Sequence, residues 1–249
     1  EVERLINKST ICILPVNVYG YVCDTDRLQA ISERYKIPVI YDSAHALGVK
    51  RNGVAQGSLG HAEVFSLHAT KFISGFEGGL VTTKSDEVAK QMRSARNFGF
   101  AGYDAVDSIG TNAKLSEIHA AMALTNLERL NDIVAHNREI FKTYKQLLHS
   151  SLRLIEPVEG EEPNYQYVPV ICPPEKREHI LKSLLDNGVF ARRYFYPGVH
   201  RMKSYQHLQV DLPQTNLLSA SILCLPTGTA VSSADAQTIA AFVNEAAAI

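Results

Sequence analysis

The run "IPVIYDSA", residues 37–44, constrains the fold more than any other feature, because it is continuously apolar up to Tyr41 and then meets Asp42. A strand with one wet face alternates apolar and polar residues, whereas a strand covered on both faces does not. Before it lies "DTDRLQAISERYK", with Asp24 placed as a helix cap and Leu28, Ile31 and Tyr35 near helical spacing. Before that, "TICILPVNVYG" reads as a strand that ends in a turn. After it come two more strand-like runs, "AEVFSLH" and "GLVTTK", and then "SDEVAKQMRSARNFGF", a helix capped by Ser85. Strand and helix in alternation predict an α/β fold with a mostly parallel sheet and flanking helices.

The polar, glycine-bearing stretch "AGYDAVDSIGTNAK" marks a boundary, so two domains are expected, 1–112 and 113–249. Residues 115–150 keep apolar positions three or four apart and predict one long helix, joining domains or meeting a second subunit. The remainder reads as a smaller α+β unit. "YQYVPVIC", "VFARRYFYP" and "ILCLPTG" are its strands, "PEKREHILKSLLDNG" a helix ended by Gly188, and "SSADAQTIAAFVNEAA" a closing helix capped by Ser232 or Ser233.

Charge is balanced: Lys plus Arg number 25, Asp plus Glu 26, and the net charge is −1. That gives no electrostatic ground for nucleic acid or an anionic membrane as partner, while a small anion needs only local positive groups. The cysteines, Cys12, Cys23, Cys172 and Cys224, form no C-x-x-C pair. They read as reduced thiols in the cytoplasm, with no disulfide framework and no metal site expected. No apolar run reaches the length of a membrane span.

Lys71, in "SLHATKFISGFEGGLVTT", would by itself be an ordinary solvated charge. Its surroundings argue otherwise. Asp42 ends one predicted strand, Ser66 ends another, and "EGG" leads the chain from the lysine loop into the next. Ligands of open α/β sheets bind at the carboxyl ends of strands. An amine, a carboxylate and a hydroxyl on that rim meet the needs of pyridoxal 5′-phosphate: a Schiff base, a partner for the ring nitrogen, and a phosphate ligand. Each residue also has a plainer reading. Asp42 could form a turn, Ser66 satisfy backbone groups, His45 pack, and Asn112 cap the long helix.

In combination these motifs resemble the DegT/DnrJ/EryC1/StrS sugar aminotransferases, of aspartate-aminotransferase-like fold. "DSAHALG" matches the family's D-x-A-[HQ]-A-x-G element through Asp42, Ala44, His45, Ala46 and Gly48, and "SLHATK" its S-x-x-x-x-K element through Ser66 and Lys71. "GTNAKLSEIHAAMAL" and "ARRYFYPGVHRMKSY" resemble later family segments, in family order. The resemblance implies that Lys71 carries the Schiff base and moves the proton, and that Asp42 pairs with the pyridine nitrogen. It further implies that His45 contacts the cofactor's O3′ or ring face, that Ser66 binds phosphate, and that Asn112 reaches phosphate across a homodimer with shared sites. Tyr196 and His200 would lie near the sugar. The implied reaction moves an amino group from a donor, glutamate, to a nucleotide-linked keto sugar, with a dTDP-4-keto-6-deoxyhexose as the narrower candidate.

The match begins about a third of the way into the family's length, so the chain reads as a fragment or a truncated gene product that lacks the family's N-terminal third. With it would go the first βα unit and its phosphate-binding turn. Open sheet edges and bare apolar faces are then expected. A non-catalytic remnant that keeps the fold and serves as a dimerising or interaction protein therefore stands as the alternative to an enzyme.

Overall fold

The computed structural model describes residues 1–248. They form two compact units, one of Glu1–Asn131 with Pro157–Asn164, the other of Asp132–Glu156 with Tyr165 onward. The boundary expected at residue 112 and this division lie on either side of one helix, Glu117–Glu128.

In the first unit, Asp24 accepts the Arg27 N–H and starts helix α1 (Thr25–Tyr35), which ends where Lys36 turns left-handed at φ 57°. Strand β1 (Ile40–Asp42) follows and pairs in parallel with β2 (Ala62–Ser66), which pairs antiparallel with β3 (Gly79–Thr82). Helix α2 (Asp86–Ala95), capped by the Ser85 side chain, and helix α3 (Glu117–Glu128), capped by Ser116, come next. The run expected as a strand at residues 10–20 makes two isolated parallel bridges, Ile13 to Val39 just before β1 and Val16 to Asp42 at its end. Pro15 has no N–H to donate, and the chain turns at Tyr19, so no continuous ladder forms. Ile11 and Leu14 are exposed on this segment, as are Val64 and Val81, which face each other across β2 and β3. A small sheet of two-residue strands, Lys50–Arg51, Val54–Ala55 and Glu161–Glu162, has no counterpart in the expectations.

Two further expectations are corrected. The single helix over residues 115–150 is two, because Arg129 leaves helical geometry (φ −97°, ψ 6°) between α3 and α4 (Leu130–Leu147). Apolar periodicity carries through such a break, so the pattern cannot show it. "VFARRYFYP" is not a strand. Its one bridge among the described residues is Arg192 to Cys224, through both the Arg192 N–H and C=O, and beyond it the Tyr194 and Phe195 rings stack at 4.9 Å.

The second unit has β4 (Val168–Ile171) paired antiparallel with β5 (Ile222–Leu225), and Arg153–Leu154 on the other side of β4. Helices α5 (Pro174–Asp186), α6 (Pro213–Ser221, unforeseen) and α7 (Ser233–Ala248) join α4. Ser232 caps α7 in a reciprocal pair with Asp235. The core is one continuous cluster that includes Ile140, Tyr144, Val168, Ile180, Leu184 and Leu223. Burial pushes the Cys172 and Cys224 thiols up to about 11 and about 12, which makes them inert packing groups. Among the described residues no helix is long and apolar enough to cross a membrane. Ile180 is fully buried at the centre of the α5 contact face. Ile180→Ala should lower the stability of this unit by ~2–5 kcal/mol, read as a lower urea midpoint.

Candidate functional site

The parallel register sets Asp42 opposite Val64, so Asp42 and Ser66 end adjacent strands on the same carboxyl rim. The backbone of Asp42 is held from one side: its N–H donates to the Pro15 C=O, and its C=O accepts the Asn17 N–H, both at 2.9 Å. One carboxylate oxygen accepts the Ala44 N–H at 3.0 Å. The other has no hydrogen-bond partner among the described residues.

Lys71 sits in a compact loop that closes on itself. The Leu67 N–H donates to the Gly78 C=O and the Gly75 N–H to the Leu67 C=O, both at 2.9 Å, and Ile73 is fully buried beneath. Helix α3 clamps this loop: Asn126 Nδ2 donates to the Ser74 C=O at 2.7 Å. Gly75 lies so close that a Cβ there would meet the His119 C=O at 2.8 Å. Gly78, at φ +141°, leaves room for Leu115 and turns the chain into β3. The amine that this loop carries is unusual. Lys71 is half-buried, yet its Nζ has no hydrogen bond or ion pair among the described residues. Burial lowers its pKa, and the Asp42 carboxylate pulls in the opposite direction.

His45 shares this field. Burial first, then the positive charge of Lys71, lower its pKa to about 4, against a smaller opposing pull from Asp42. Its geometry agrees. The Tyr19 backbone N–H donates to His45 Nδ1 at 3.1 Å, so Nδ1 keeps its lone pair and a neutral ring carries its proton on Nε2. Asp42, His45 and Lys71 are thus brought together, with Ser66 on the same rim. Ser66 is half-buried, and its Oγ accepts the His68 N–H at 3.3 Å. Asn112 is exposed, accepts from Lys114 Nζ at 2.7 Å, and has no hydrogen bond to those four. Tyr196 and His200 belong to the second unit. Tyr196 lies between the Arg177 and Arg193 guanidiniums, 4.4 and 4.9 Å from its ring, and His200 Nε2 meets Asn216 Oδ1 at 2.8 Å.

The rim fits pyridoxal phosphate by the chemistry of its donors: an unpaired amine, a carboxylate with an open oxygen, a neutral imidazole and a hydroxyl. Beneath it lie residues that the sequence reading passed over, the fully buried Asn17, Ser43 and Glu63. The signal was present in two of them, since Asn17 interrupts "PVNVYG" and Glu63 interrupts "AEVFS".

The low pKa of His45 has a sign. Between about 4 and the ordinary 6.5, the unfolded chain binds a proton that the folded chain does not. Stability from this group is therefore greatest above 6.5 and falls as pH drops toward 4. Urea midpoints taken across that window should decline with acid in the wild type and decline less in His45→Gln.

Residues 1–244 match the model of the DegT/DnrJ/EryC1/StrS aminotransferase family. A dTDP-4-amino-4,6-dideoxy-D-glucose transaminase of Shigella dysenteriae is 31% identical over 98% of this chain and 69% of its own length. GDP-perosamine synthase of Caulobacter vibrioides is 30% identical, over 98% and 68%. Among solved structures, DesI with its TDP-sugar product superposes with a TM-score of 0.92 at 34% identity, covering 99% of this chain and 64% of that one. PseC of Helicobacter pylori, an aminotransferase involved in the biosynthesis of pseudoaminic acid, superposes at 0.94 with 26% identity, over 99% and 69%. The chain thus spans about two thirds of the length of these relatives, and the α/β fold expected from the motifs is theirs. By its motifs, its fold and this match over nearly its whole length, the chain belongs to the DegT/DnrJ/EryC1/StrS aminotransferase family.

Proposed function

We propose that this chain provides the lysine, the ring-nitrogen acid and part of the phosphate site of a pyridoxal-phosphate-dependent nucleotide-sugar aminotransferase. The observation that carries the reading is the half-buried Lys71 amine, without a hydrogen bond or ion pair and in the field of Asp42. A structural lysine would be solvated or paired. The cofactor, when bound, supplies an electron sink for the carbon that loses its proton. Lys71 would hold it at the aldehyde carbon, the open oxygen of Asp42 would meet its ring nitrogen, the Nε2–H of His45 its hydroxyl, and Ser66 its phosphate. With its pKa lowered, Lys71 Nζ has a lone pair closer to neutral pH. Once the amino donor has displaced it from the aldehyde carbon, it would carry a proton from the donor's carbon to that cofactor carbon, and in the second half-reaction from the cofactor carbon to the sugar carbon. Glutamate as donor and a dTDP-4-keto-6-deoxyhexose as acceptor follow from the motif resemblance; the dTDP-sugar relatives support a nucleotide-linked sugar as acceptor and do not bear on the donor. Tyr196 and His200 would serve the sugar.

A homodimer is part of the proposal. Helix α3 is apolar on its outer side as well as its inner one: Ile118 is 74% exposed and Leu124 64%, and Ile109 in the preceding loop is 97% exposed. Large apolar side chains exposed together on one side of a helix mark a surface that a partner covers. The same loop carries Asn112, which would reach the phosphate of the neighbouring site.

With added pyridoxal phosphate, borohydride should fix a pyridoxyl group on the Lys71 peptide, seen by mass spectrometry. Lys71→Ala should lose the adduct and lower glutamate-to-sugar transamination by at least about 100-fold. No adduct on the wild type would sink the cofactor reading and leave the interaction-protein alternative. The double variant Ile118→Lys/Leu124→Lys should sediment as a monomer where the wild type sediments as a dimer.

A further inference from the structure

Under the rim, three fully buried polar side chains form a directed chain of hydrogen bonds. Asn17 Nδ2 donates to Ser43 Oγ at 2.9 Å, and Ser43 Oγ donates to Glu63 Oε2 at 3.0 Å. Glu63 Oε1 accepts the Gly57 and Leu59 N–H groups, each at 2.8 Å. Asn17 Nδ2 also reaches Gln56 Oε1 at 3.2 Å, and Asn17 Oδ1 accepts the Cys23 N–H at 3.0 Å. Ser43 has one hydroxyl proton. Once it is given to Glu63, only lone pairs face Asn17, which fixes the direction of the whole chain.

Buried polar groups add little to stability over apolar groups of the same shape, but fully satisfied they specify one arrangement. The ends of this chain show which arrangement. Ser43 directly follows Asp42, and the Asn17 backbone N–H holds the Asp42 C=O at 2.9 Å. Asn17 also closes the 17–23 loop through Cys23. That loop turns at Tyr19 (φ 60°) and Gly20 (φ +86°), so that the Tyr19 N–H meets His45 Nδ1. Gly20 is pressed against His45, because a Cβ there would lie 2.7 Å from the His45 C=O.

We propose that Asn17, Ser43 and Glu63 are positioning residues: their relay holds the Asp42 turn and the 17–23 loop in one register, and thereby keeps His45 as the Nε2–H tautomer beside Asp42 and Lys71. The purpose of this rests on the cofactor reading above, but the tautomer itself does not require the cofactor. Lys71 and Asp42 are charged groups that act on the His45 ring, and neither is altered by the variants chosen.

The test is nitrogen NMR of the imidazoles in the ligand-free full chain, with His45 assigned through His45→Gln, set beside the Kd for pyridoxal phosphate. In the wild type, His45 should show an unprotonated Nδ1 and no titration between about pH 5 and 8. In Ser43→Ala and in Glu63→Gln, whose amide must set one donor against another, His45 should become a tautomer mixture that titrates nearer 6.5. The Kd should rise about tenfold. A folded Ser43→Ala with the wild-type tautomer and titration would overturn the proposal, and so would a wild-type His45 ring protonated on Nδ1, which needs no variant. Should the wild type bind no pyridoxal phosphate while the His45 change is present, the cofactor reading falls and the relay stands.

Discussion

An ammonium group gives up hydration when it is buried, and proteins ordinarily replace that hydration with a carboxylate in contact. Lys71 has no such contact, although Asp42 lies close enough to act on it. Its position must therefore be enforced from outside the amine. Helix α3 supplies the enforcement through Asn126 on the Ser74 carbonyl and through the close approach at Gly75, while Ile73 anchors the loop from below. None of these contacts involves the lysine side chain, which is consistent with a group kept free for a ligand.

The two units hold themselves together differently. The second has one continuous apolar cluster drawn from both strands and three helices. The first buries Phe65, Leu67 and Ile73 and a cluster of Leu28 with Val39 and Tyr41, and also a polar chain through Asn17, Ser43 and Glu63. Polar order demands precise geometry, and apolar packing tolerates repacking.

Much was legible from local rules. Asp24, Ser85 and Ser232 cap their helices because a short side-chain oxygen two or three residues before a free N–H is a local matter. The strands at residues 40–42, 62–66 and 79–82 followed from apolar run length. What failed was equally specific. The break at Arg129 leaves the apolar spacing intact on both sides, so periodicity passes over it. The segment at 189–197 has strand-like composition, yet its one bridge among the described residues is Arg192 to Cys224. Composition shows that a residue suits a strand, and a ladder also needs a neighbour in register.

By itself the sequence determined the α/β class and the motifs that mark the family, because each depends on residues near one another in the chain. Only the tertiary structure decided what surrounds them. Asn17 meets Ser43 across 26 residues and Ser43 meets Glu63 across 20. Tyr19 meets His45 across 26, and Asn126 meets Ser74 across 52. Those meetings depend on the parallel register of β1 against β2 and on where α3 packs, and both are set by long-range burial and pairing that no local pattern encodes.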